Sequence, residues 1–470
     1  MSANTRDVER QILGEVWTSD AIYRNLVHLC DDLGHRFGGS DSEHAAARFL
    51  KQRMDEYGLS NTRLEEFPMY GWERGDCFFA VTAPLERSFS AIAMPYCGSA
   101  DLDGEMVDVG EGEAVDFAHL GDAVRGKIVL TDAETNRPGE TRSHRTDKYR
   151  RAVDAGARAC VFINQNPGLL HITGALYARN PGGPDASDHE APIPGIGISY
   201  EAGAALRRFA ERGAMHARIR TNNRTFRSHS YNVVGDIPGG EHPEEIVLMG
   251  GHYDGHDVAQ GAGDDAAGTL VGLEAGRVLA PFARKLKRTV RIICFGCEEI
   301  GLLGSWHHAE RYHDTDEVLR FAVNLDGAGR GQGGQDQITV TGDPDLVPYF
   351  ERFAGEHLYA LGIRNQVGPH SDHFPFFLQG YPSATLNSRD STAGMIGRGY
   401  GHTEADTVDK VTLRGLQMGA AIAARVAATL ANDDDLPARR RSREEVVAVL
   451  ERGNMADLLE HHWGRDNRAE

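Results

Sequence analysis

A stretch of nineteen residues, Gly250–Gly268, carries two histidines and four aspartates among residues that are mostly glycine and alanine. Histidine and carboxylate side chains together are typical ligands of a divalent metal ion of borderline hardness. A catalytic site of this type keeps one coordination position open for water. The stretch therefore predicts the metal centre of a hydrolase.

Further acidic residues follow other predicted strands. Glu298 and Glu299 come after "IICFGC" and Asp326 comes after "AVNL", just as His252 comes after "IVLMGG". Active sites of open α/β sheets lie at the carboxyl ends of the strands, so we expect one site assembled from several strand ends. Within it, Asp254 is placed to hold the imidazole of His252.

The paired acids suit a division of roles. One aspartate of "GAGDDAAG" could bridge two ions at the spacing of about 3.5–4 Å that is typical of two-metal sites. Of the adjacent Glu298 and Glu299, one could bind metal while the other takes a proton from the bound water. The pattern favours a centre with two metal ions.

Each of these signals also has a simpler interpretation. Asp-Gly usually forms a turn, Asp-Asp before a helix usually caps it, and Glu-Glu usually lies on a solvated face. Their joint placement at strand ends favours the metal site instead. Among the ambiguous residues, we expect His256 and Asp257 to be polar loop residues and His307 and His308 to lie on a helix surface; His373 stays open.

The pattern along the chain predicts the elements that position these residues. Residues from about 6 to 60 favour helices, with a capping box from Ser40 to Glu43 and a stop at Gly58. Residues from about 63 to 225 show short β-type runs and one helix near "KYRRAVDAGA". From about 231, strands and helices alternate, which predicts an α/β fold with a largely parallel sheet flanked by helices and a separate β-rich insert.

Composition limits the classes of function. The 470 residues hold 50 Lys and Arg against 69 Asp and Glu, and the net charge of −19 disfavours nucleic acid as a partner. No apolar run approaches the roughly 20 residues of a membrane span, and the first residues lack a signal pattern. We therefore expect a soluble, cytoplasmic protein with no membrane partner. The six cysteines are scattered, and we expect Cys294 and Cys297 to be buried hydrophobic side chains.

Six segments occur in an order that resembles a known family: "GGHYD", "GAGDDAAG", "FGCEEIGLLGS", "NLDGAG", "SDHFPFFLQGYPSATL" and "GHTEADTVDKV". They look like the ordered motifs of the co-catalytic two-zinc aminopeptidase and carboxypeptidase family. The segments "WERG" and "RGKIV" make the chain most similar to the plasma glutamate carboxypeptidase branch of that family. The likeness extends from about residue 20 to about residue 435.

The resemblance implies a zinc-exopeptidase fold with an inserted β-rich protease-associated domain. Residues 1–84 would form the N-terminal part of the peptidase domain, 85–225 the insert, 226–435 the metal-binding catalytic part and 436–470 a C-terminal helical tail. We expect the insert to wall or cover the metal cleft, or to supply an oligomer interface such as that of a homodimer.

The resemblance also implies the role of each site residue. Five side chains would hold two zinc ions between them: His252, Asp264, Glu299, Asp326 and His402. Asp264 would bridge the ions, Glu298 would be the general base, and Asp254 would orient His252. Asp265 would help to set the bridging loop, through a cis peptide as in relatives.

The implied function is a zinc-dependent exopeptidase, an aminopeptidase or a dipeptidase or carboxypeptidase, that hydrolyses short peptides. Two other classes stay open: a single-metal acyltransferase of the glutaminyl-cyclase type, and a non-catalytic binding protein of the same fold. The full set of ligand positions disfavours both. Asn387 and Arg398 are candidates for reading one end of the peptide.

Overall fold

The computed structural model describes residues 3–136, 143–177, 186–330, 336–388, 399–453 and 455. Within these residues the strands, in chain order, are β1 (Ser60–Glu73), β2 (Cys77–Ala83), β3 (Arg87–Phe89), β4 (Ile92–Ala93), β5 (Ala100–Asp108), β6 (Ile128–Asp132), β7 (Ala159–Ile163), β8 (Gly195–Ile198), β9 (Met215–Thr221), β10 (Arg224–Ile237), β11 (His242–His252), β12 (Arg288–Phe295), β13 (Val318–Asn324), β14 (Asp336–Val340), β15 (Gly362–Asn365) and β16 (Ser383–Ser388).

The α-helices of the same residues are α1 (Ala3–Thr18), α2 (Ala21–Val27), α3 (Asp41–Glu56), α4 (Ala114–Leu120), α5 (Arg145–Asp154), α6 (Tyr200–Ala210), α7 (Ala267–Leu279), α8 (Leu303–Glu310), α9 (Leu346–Glu356), α10 (His373–Leu378), α11 (Leu413–Asn432) and α12 (Arg443–Arg452). None of these helices has the combination of length and hydropathy that a membrane span needs.

The larger part of the chain is built on sheet A, with strand order β1-β10-β12-β11-β13-β16-β14-β15. Strands β12, β11, β13 and β16 run parallel to their neighbours within that group. Strand β10 joins them antiparallel on one side and β14 on the other. The predicted largely parallel mixed sheet is confirmed, and its parallel centre brings the carboxyl ends of β11, β12 and β13 to one edge.

Helices cover both faces of sheet A. Successive side chains of its central strands point to opposite faces, so each strand contributes residues to two cores. Val247 and Met249 of β11 belong to the core that also contains α1, α3, α7 and α11. Ile246 and Leu248 belong to the opposite core, which contains residues of α8 and α10. A central strand with apolar residues on both faces is the pattern expected of a parallel sheet buried between helices.

The predicted N-terminal helices are confirmed, with one difference at the cap of α3. Ser40 accepts a hydrogen bond from the backbone N–H of Glu43, and Gly58 has the positive φ of 79° that ends the helix region. The Glu43 carboxylate, however, accepts from the backbone of Gly39 and from the Ser230 hydroxyl rather than from the backbone of Ser40. Burial raises the pKa of Glu43 to about 8. The side chain is therefore a buried core residue as well as a part of the helix cap.

The insert forms sheet B, with strand order β3-β2-β9-β5-β6-β7-β8-β4. Sheet B includes β2, which precedes the predicted domain start at residue 85, because β2 pairs antiparallel with β9. The helix predicted near "KYRRAVDAGA" is α5, but α4 and α6 also occur in the insert. The sequence "YEAGAALRRFA" of α6 begins after the capping Ser199. A serine cap is a sequence signal for the start of a helix, and the prediction overlooked it because it relied on β-type runs.

Two predictions about single side chains have opposite outcomes. Cys294 and Cys297 are buried and unpaired with any cysteine, as predicted. The prediction that His308 lies on a helix surface is wrong, since the side chain is fully buried and its Nδ1 lies 2.6 Å from Glu65 Oε2. His307, one residue earlier on α8, is exposed as predicted. Adjacent helical residues point about 100° apart, so two neighbouring histidines need not share an environment.

A buried charge cluster connects the central strand β12 to β10 and to the residue before β13. The guanidinium of Arg291 donates two hydrogen bonds to Asp236 of β10, at 2.8 and 3.1 Å. It donates two more to Glu317, at 2.7 and 2.8 Å. The Arg291 side chain is 2% exposed and that of Asp236 is 5% exposed. Removing one partner of such a pair leaves a buried charge uncompensated.

We therefore expect Arg291→Met to lower the free energy of unfolding by roughly 3–5 kcal/mol, because Asp236 would stay buried without its cation. The matched control is Arg218→Met, which breaks a similar two-bond pair with Asp101 on the solvent-exposed surface of sheet B. Surface pairs of this type contribute little. Chemical denaturation of the two variants measures the difference, and equal losses in both would contradict the argument.

Candidate metal centre

The predicted site residues converge at the edge of sheet A where three parallel strands end. His252 is the last residue of β11, Glu298 and Glu299 follow β12, and Asp326 follows β13. Strands β12, β11 and β13 are direct neighbours. His402 comes to the same place from the segment between β16 and α11. The expectation of one site built from several strand ends is confirmed.

The side chains form two groups of donor atoms with Asp264 between them. One group contains His252, Asp265 and Asp326, the other contains His256, Glu299 and His402, and within each group the donor atoms lie within 4.8 Å of one another. Asp264 Oδ1 lies 3.4 Å from His252 Nε2, and Asp264 Oδ2 lies 3.5 Å from His402 Nε2. A carboxylate that faces a histidine of each group has the placement of a bridging ligand.

Asp254 holds two parts of the centre at once. Its carboxylate accepts the backbone N–H groups of Glu298 and Glu299, at 3.0 and 3.2 Å. Its backbone carbonyl lies 3.1 Å from His252 Nδ1, and its carboxylate Oδ1 lies 3.4 Å from the same atom. Donation from Nδ1 directs the Nε2 lone pair of His252 into the centre. Asp254 therefore orients both the first histidine and the two glutamates.

Asp265 fixes the loop on either side of the bridging position. The bond between Asp264 and Asp265 is a cis peptide, as the resemblance predicts. Asp265 Oδ1 accepts the backbone N–H groups of Gly268 and Gly327, at 3.1 and 2.8 Å. A Cβ on Gly251 would lie 2.3 Å from Asp265 Oδ2, so the glycine of β11 is needed for this close approach.

A buried arginine, Arg36, holds the loop that joins β11 to the bridging aspartate, and sequence reasoning missed it. Its guanidinium donates to the backbone carbonyls of Tyr253, Gln260 and Gly261 at 2.6, 2.6 and 2.9 Å. The side chain is fully buried. Arginine offers five donors in a fixed fork, which suits several carbonyls of one loop. An isolated "GHRFGG" contains no pattern that identifies this role.

Asp406 completes the support of the bridging loop. Its two carboxylate oxygens accept the backbone N–H groups of Gly263 and Asp264, at 2.7 and 3.0 Å. Burial, with the nearby Asp264 charge, raises the pKa of Asp406 to about 7. Asp406 lies in the same "GHTEADTVDKV" segment as His402. This segment therefore supplies a histidine of the second donor group and a carboxylate that holds the loop of Asp264.

The insert holds His402 in place. The Nδ1 atom of His402 lies 3.1 Å from the carbonyl oxygen of Thr173, and the N–H of Thr173 donates to the carbonyl of His402 at 3.0 Å. His171 of the insert pairs with Glu404 through its backbone and its ring. Arg74 donates to Thr173 Oγ1 and makes two bonds to Asp257. Thr173 acts mainly through its backbone, for which its side-chain type gives no signal.

The insert also forms one wall of the cleft at the centre. The cleft is lined by Glu298, Glu299, Gly301, Leu302, Pro369, His370 and His402 of the larger domain and by His144, Arg145, Thr146, Ala175 and Tyr177 of the insert. The rings of His144 and His370 stack across the two parts at 3.8 Å between centroids. The walling role predicted for the insert is therefore observed.

His256 and Asp257 are polar loop residues, as expected. His256 is nevertheless buried, and it lies beside Glu299, whereas Asp257 pairs with Arg74. His373 is buried, and burial lowers its pKa to about 4. Asn387 lies in β16 opposite Gln337 of β14. Arg398 lies outside the described residues.

The electrostatics of the centre fit divalent cations. Burial, together with neighbouring carboxylates, raises the pKa of Glu298 and Asp265 well above the ordinary range and that of Asp372 to about 7. In the described part of the chain, none of these three acids forms an ion pair with Lys or Arg, and His252 Nε2 has no hydrogen-bond partner. Buried charges need compensation. An imidazole nitrogen aimed at several carboxylates is a donor set typical of zinc.

Comparison with known proteins agrees with this geometry. Residues 232–427 match the model of peptidase family M28, and residues 95–206 match that of the PA domain. Carboxypeptidase Q of Rattus norvegicus is 27% identical over 307 residues, which cover 65% of this chain and 64% of the relative. The chain thus spans somewhat less than two thirds of that relative's length.

Two solved structures are similar over most of the chain. A peptidase M28 precursor from Shewanella amazonensis SB2B has a TM-score of 0.76 at 22% identity, covering 93% of this chain and 98% of the other, which shows the shared fold. BSAP, described as a zinc aminopeptidase from Bacillus subtilis, has a TM-score of 0.63 at 25% identity, covering 86% of this chain and 93% of the other.

Proposed function

We propose that the chain is a zinc-dependent exopeptidase that hydrolyses short peptides with two metal ions, because residues 232–427 match peptidase family M28 and residues 95–206 match the PA domain. The observation that carries this proposal is the placement of Asp264 between two groups of donor atoms. The names of the relatives, a carboxypeptidase and a zinc aminopeptidase, support the same reaction class.

The proposal assigns each ligand to one of two ions. His252 and Asp326 would hold the first ion, Glu299 and His402 would hold the second, and Asp264 would bridge them. When bound, the ions would lower the pKa of a water held between them and polarise the peptide carbonyl. Support for this assignment comes from the two donor groups and from the buried acids that lack a Lys or Arg partner among the described residues.

Glu298 would act as the general base. It would take a proton from the water as the oxygen attacks the peptide carbonyl, and it would pass the proton to the amine that leaves. Its carboxylate lines the cleft and lies 3.9 Å from His252 Nε2. The hydrogen bond from its backbone N–H to Asp254 fixes it at the end of β12. Glu298 is therefore near the metal donors without belonging to either group.

The rival classes explain less of the site. A single-metal acyltransferase of the glutaminyl-cyclase type needs one donor group, whereas the centre has two that share Asp264. A binding protein without catalysis needs neither a preserved donor set nor a free carboxylate beside it. The exopeptidase accounts for both donor groups and for Glu298.

Substrate size and setting are also part of the proposal. The insert residues on the cleft wall would narrow access to the centre and exclude folded chains, so the substrates would be short peptides. We place the reaction in the cytoplasm, a location supported by six cysteines that are all free thiols. A homodimer through the insert stays a prediction.

Metal analysis tests the ion count. If two donor groups hold two ions, purified protein should approach two zinc equivalents per chain, and a chelator should abolish peptide hydrolysis. Restoring zinc should restore activity. About one equivalent with full activity would favour the single-metal acyltransferase.

Substitution within the Glu298-Glu299 pair separates base from ligand. Glu298→Gln removes the proton acceptor and keeps the donor groups, so turnover should fall by roughly 10²–10⁴ or more with metal content unchanged. Glu299→Gln should instead weaken one metal site, because a neutral amide is a poorer ligand than a carboxylate. Zinc content and dipeptide hydrolysis are measured for both variants. Near-normal turnover by Glu298→Gln contradicts the mechanism.

A series of substrates tests the role of the insert. Dipeptides and short peptides should be hydrolysed, and kcat/KM should fall steeply for long polypeptides because the insert walls the cleft. Analogues blocked at the amino or at the carboxyl end, compared at equal length, identify the end that the enzyme reads. Equal turnover of dipeptides and long polypeptides would count against the walling role.

A further inference from the structure

His256 is a buried histidine for which the proposed ligand set has no use. Its side chain is 3% exposed. Its Nε2 atom lies 2.9 Å from Glu299 Oε2, yet within the described residues neither ring nitrogen makes a hydrogen bond of acceptable geometry. Leaving polar atoms buried and unpaired costs free energy, so a buried side chain of this kind is expected to bind another polar group or an ion.

The surroundings of the ring indicate a metal ion as that partner. Glu299 Oε2 lies 2.9 Å from His256 Nε2 and 3.0 Å from His402 Nε2. The two imidazole rings meet nearly edge to face, with centroids 4.5 Å apart and an angle of 74°. Ligands placed tetrahedrally at about 2.0–2.1 Å from zinc are about 3.3 Å from one another. The Glu299 oxygen therefore lies at nearly the spacing of a zinc donor pair from each of the two nitrogens, and all three donor atoms lie within 4.8 Å of one another.

Neighbouring contacts hold His256 in this position. Arg74 grips the adjacent Asp257 with two hydrogen bonds, at 2.8 and 2.5 Å. The ring of Phe37 packs against the His256 ring with centroids 6.1 Å apart. Arg36 holds the carbonyl of Tyr253 before the histidine and that of Gln260 after it. These contacts hold the imidazole in one position, which is the condition for a strong ligand.

We propose that His256 is a ligand of the ion held by Glu299 and His402. That ion would then have two imidazoles, one carboxylate and the bridging Asp264, while the other ion would have His252, Asp326 and the bridge. With more nitrogen donors, the ion at Glu299 is bound more tightly, and the ion at Asp326 dissociates first. This inference rests on the proposed two-metal centre and adds a ligand to it.

The alternative role for His256 is to position Glu299 by a hydrogen bond, and two substitutions distinguish the roles. His256→Phe removes both the proposed ligand and the donor that a positioning role would require. His256→Gln keeps an N–H donor for Glu299 but supplies a poor metal ligand. His308→Gln is the control, because His308 is equally buried but pairs with Glu65 away from the centre. Circular dichroism and thermal melts establish that each variant is folded.

Zinc affinity is measured by competition with a chromophoric chelator, independently of catalysis. We expect one of the two ions to be bound more than about 100-fold more weakly in both His256 variants, beyond the roughly 10–100-fold typical of losing an outer partner. His308→Gln should bind both ions as the wild type does. In Co²⁺-loaded protein, the visible d–d bands should change in both His256 variants and not in the control.

Two results would overturn the assignment. Wild-type affinity for both ions in His256→Phe would exclude His256 as a ligand, and recovery of wild-type affinity in His256→Gln would show a positioning role instead. Failure of the wild type to bind a second ion would refute the two-metal proposal separately. In that case an unchanged affinity of the single ion in His256→Phe would also refute the ligand role.

Discussion

The structure depends on one electrostatic constraint, which is that several carboxylates meet where water is largely excluded. Asp264, Asp265, Glu298 and Glu299 lie within one small region at the ends of three strands. In a medium of low dielectric these charges repel strongly unless cations or donors compensate them. The histidines of the two donor groups are neutral ligands and compensate little by themselves when they bind metal. Bound zinc would relieve the repulsion, and the acids are held in place where it would bind.

The acids are held in place because side chains form hydrogen bonds with the backbone of the loops that carry them. Asp254, Asp265 and Asp406 each accept two backbone N–H groups. Arg36 does the converse and donates to carbonyls on both sides of the loop after β11. Loops lack the regular hydrogen-bond ladder of a sheet, so their backbone groups need such partners. The precision of the centre therefore comes largely from side chains that bind the backbone of its loops.

The parts of the site that follow from side-chain type at a strand end were predictable from the sequence. His252, Glu298, Glu299 and Asp326 were placed correctly because β11, β12 and β13 have strong apolar patterns. His402 and the cis peptide came from family resemblance, since no periodicity identifies them. Arg36 and Thr173 were missed, and the burial of His256 beside Glu299 was not expected, for a different reason: these features depend on contacts between segments distant in sequence. Thr173 in particular acts through a carbonyl, which every residue has.

The insert contacts the segment that carries His402, and the path of the chain into and out of the insert explains how it reaches that segment. Strands β1 and β10 pair antiparallel along their whole length, so Glu73 and Arg224 at their far ends are direct partners. The insert therefore extends from the end of a two-stranded arm, and sheet A is not interrupted. It docks back through Thr173 and His171 onto the segment that carries His402, and Arg74, just after β1, links the same Thr173 to Asp257. The module that lines the cleft is therefore also the module that holds His402 in place.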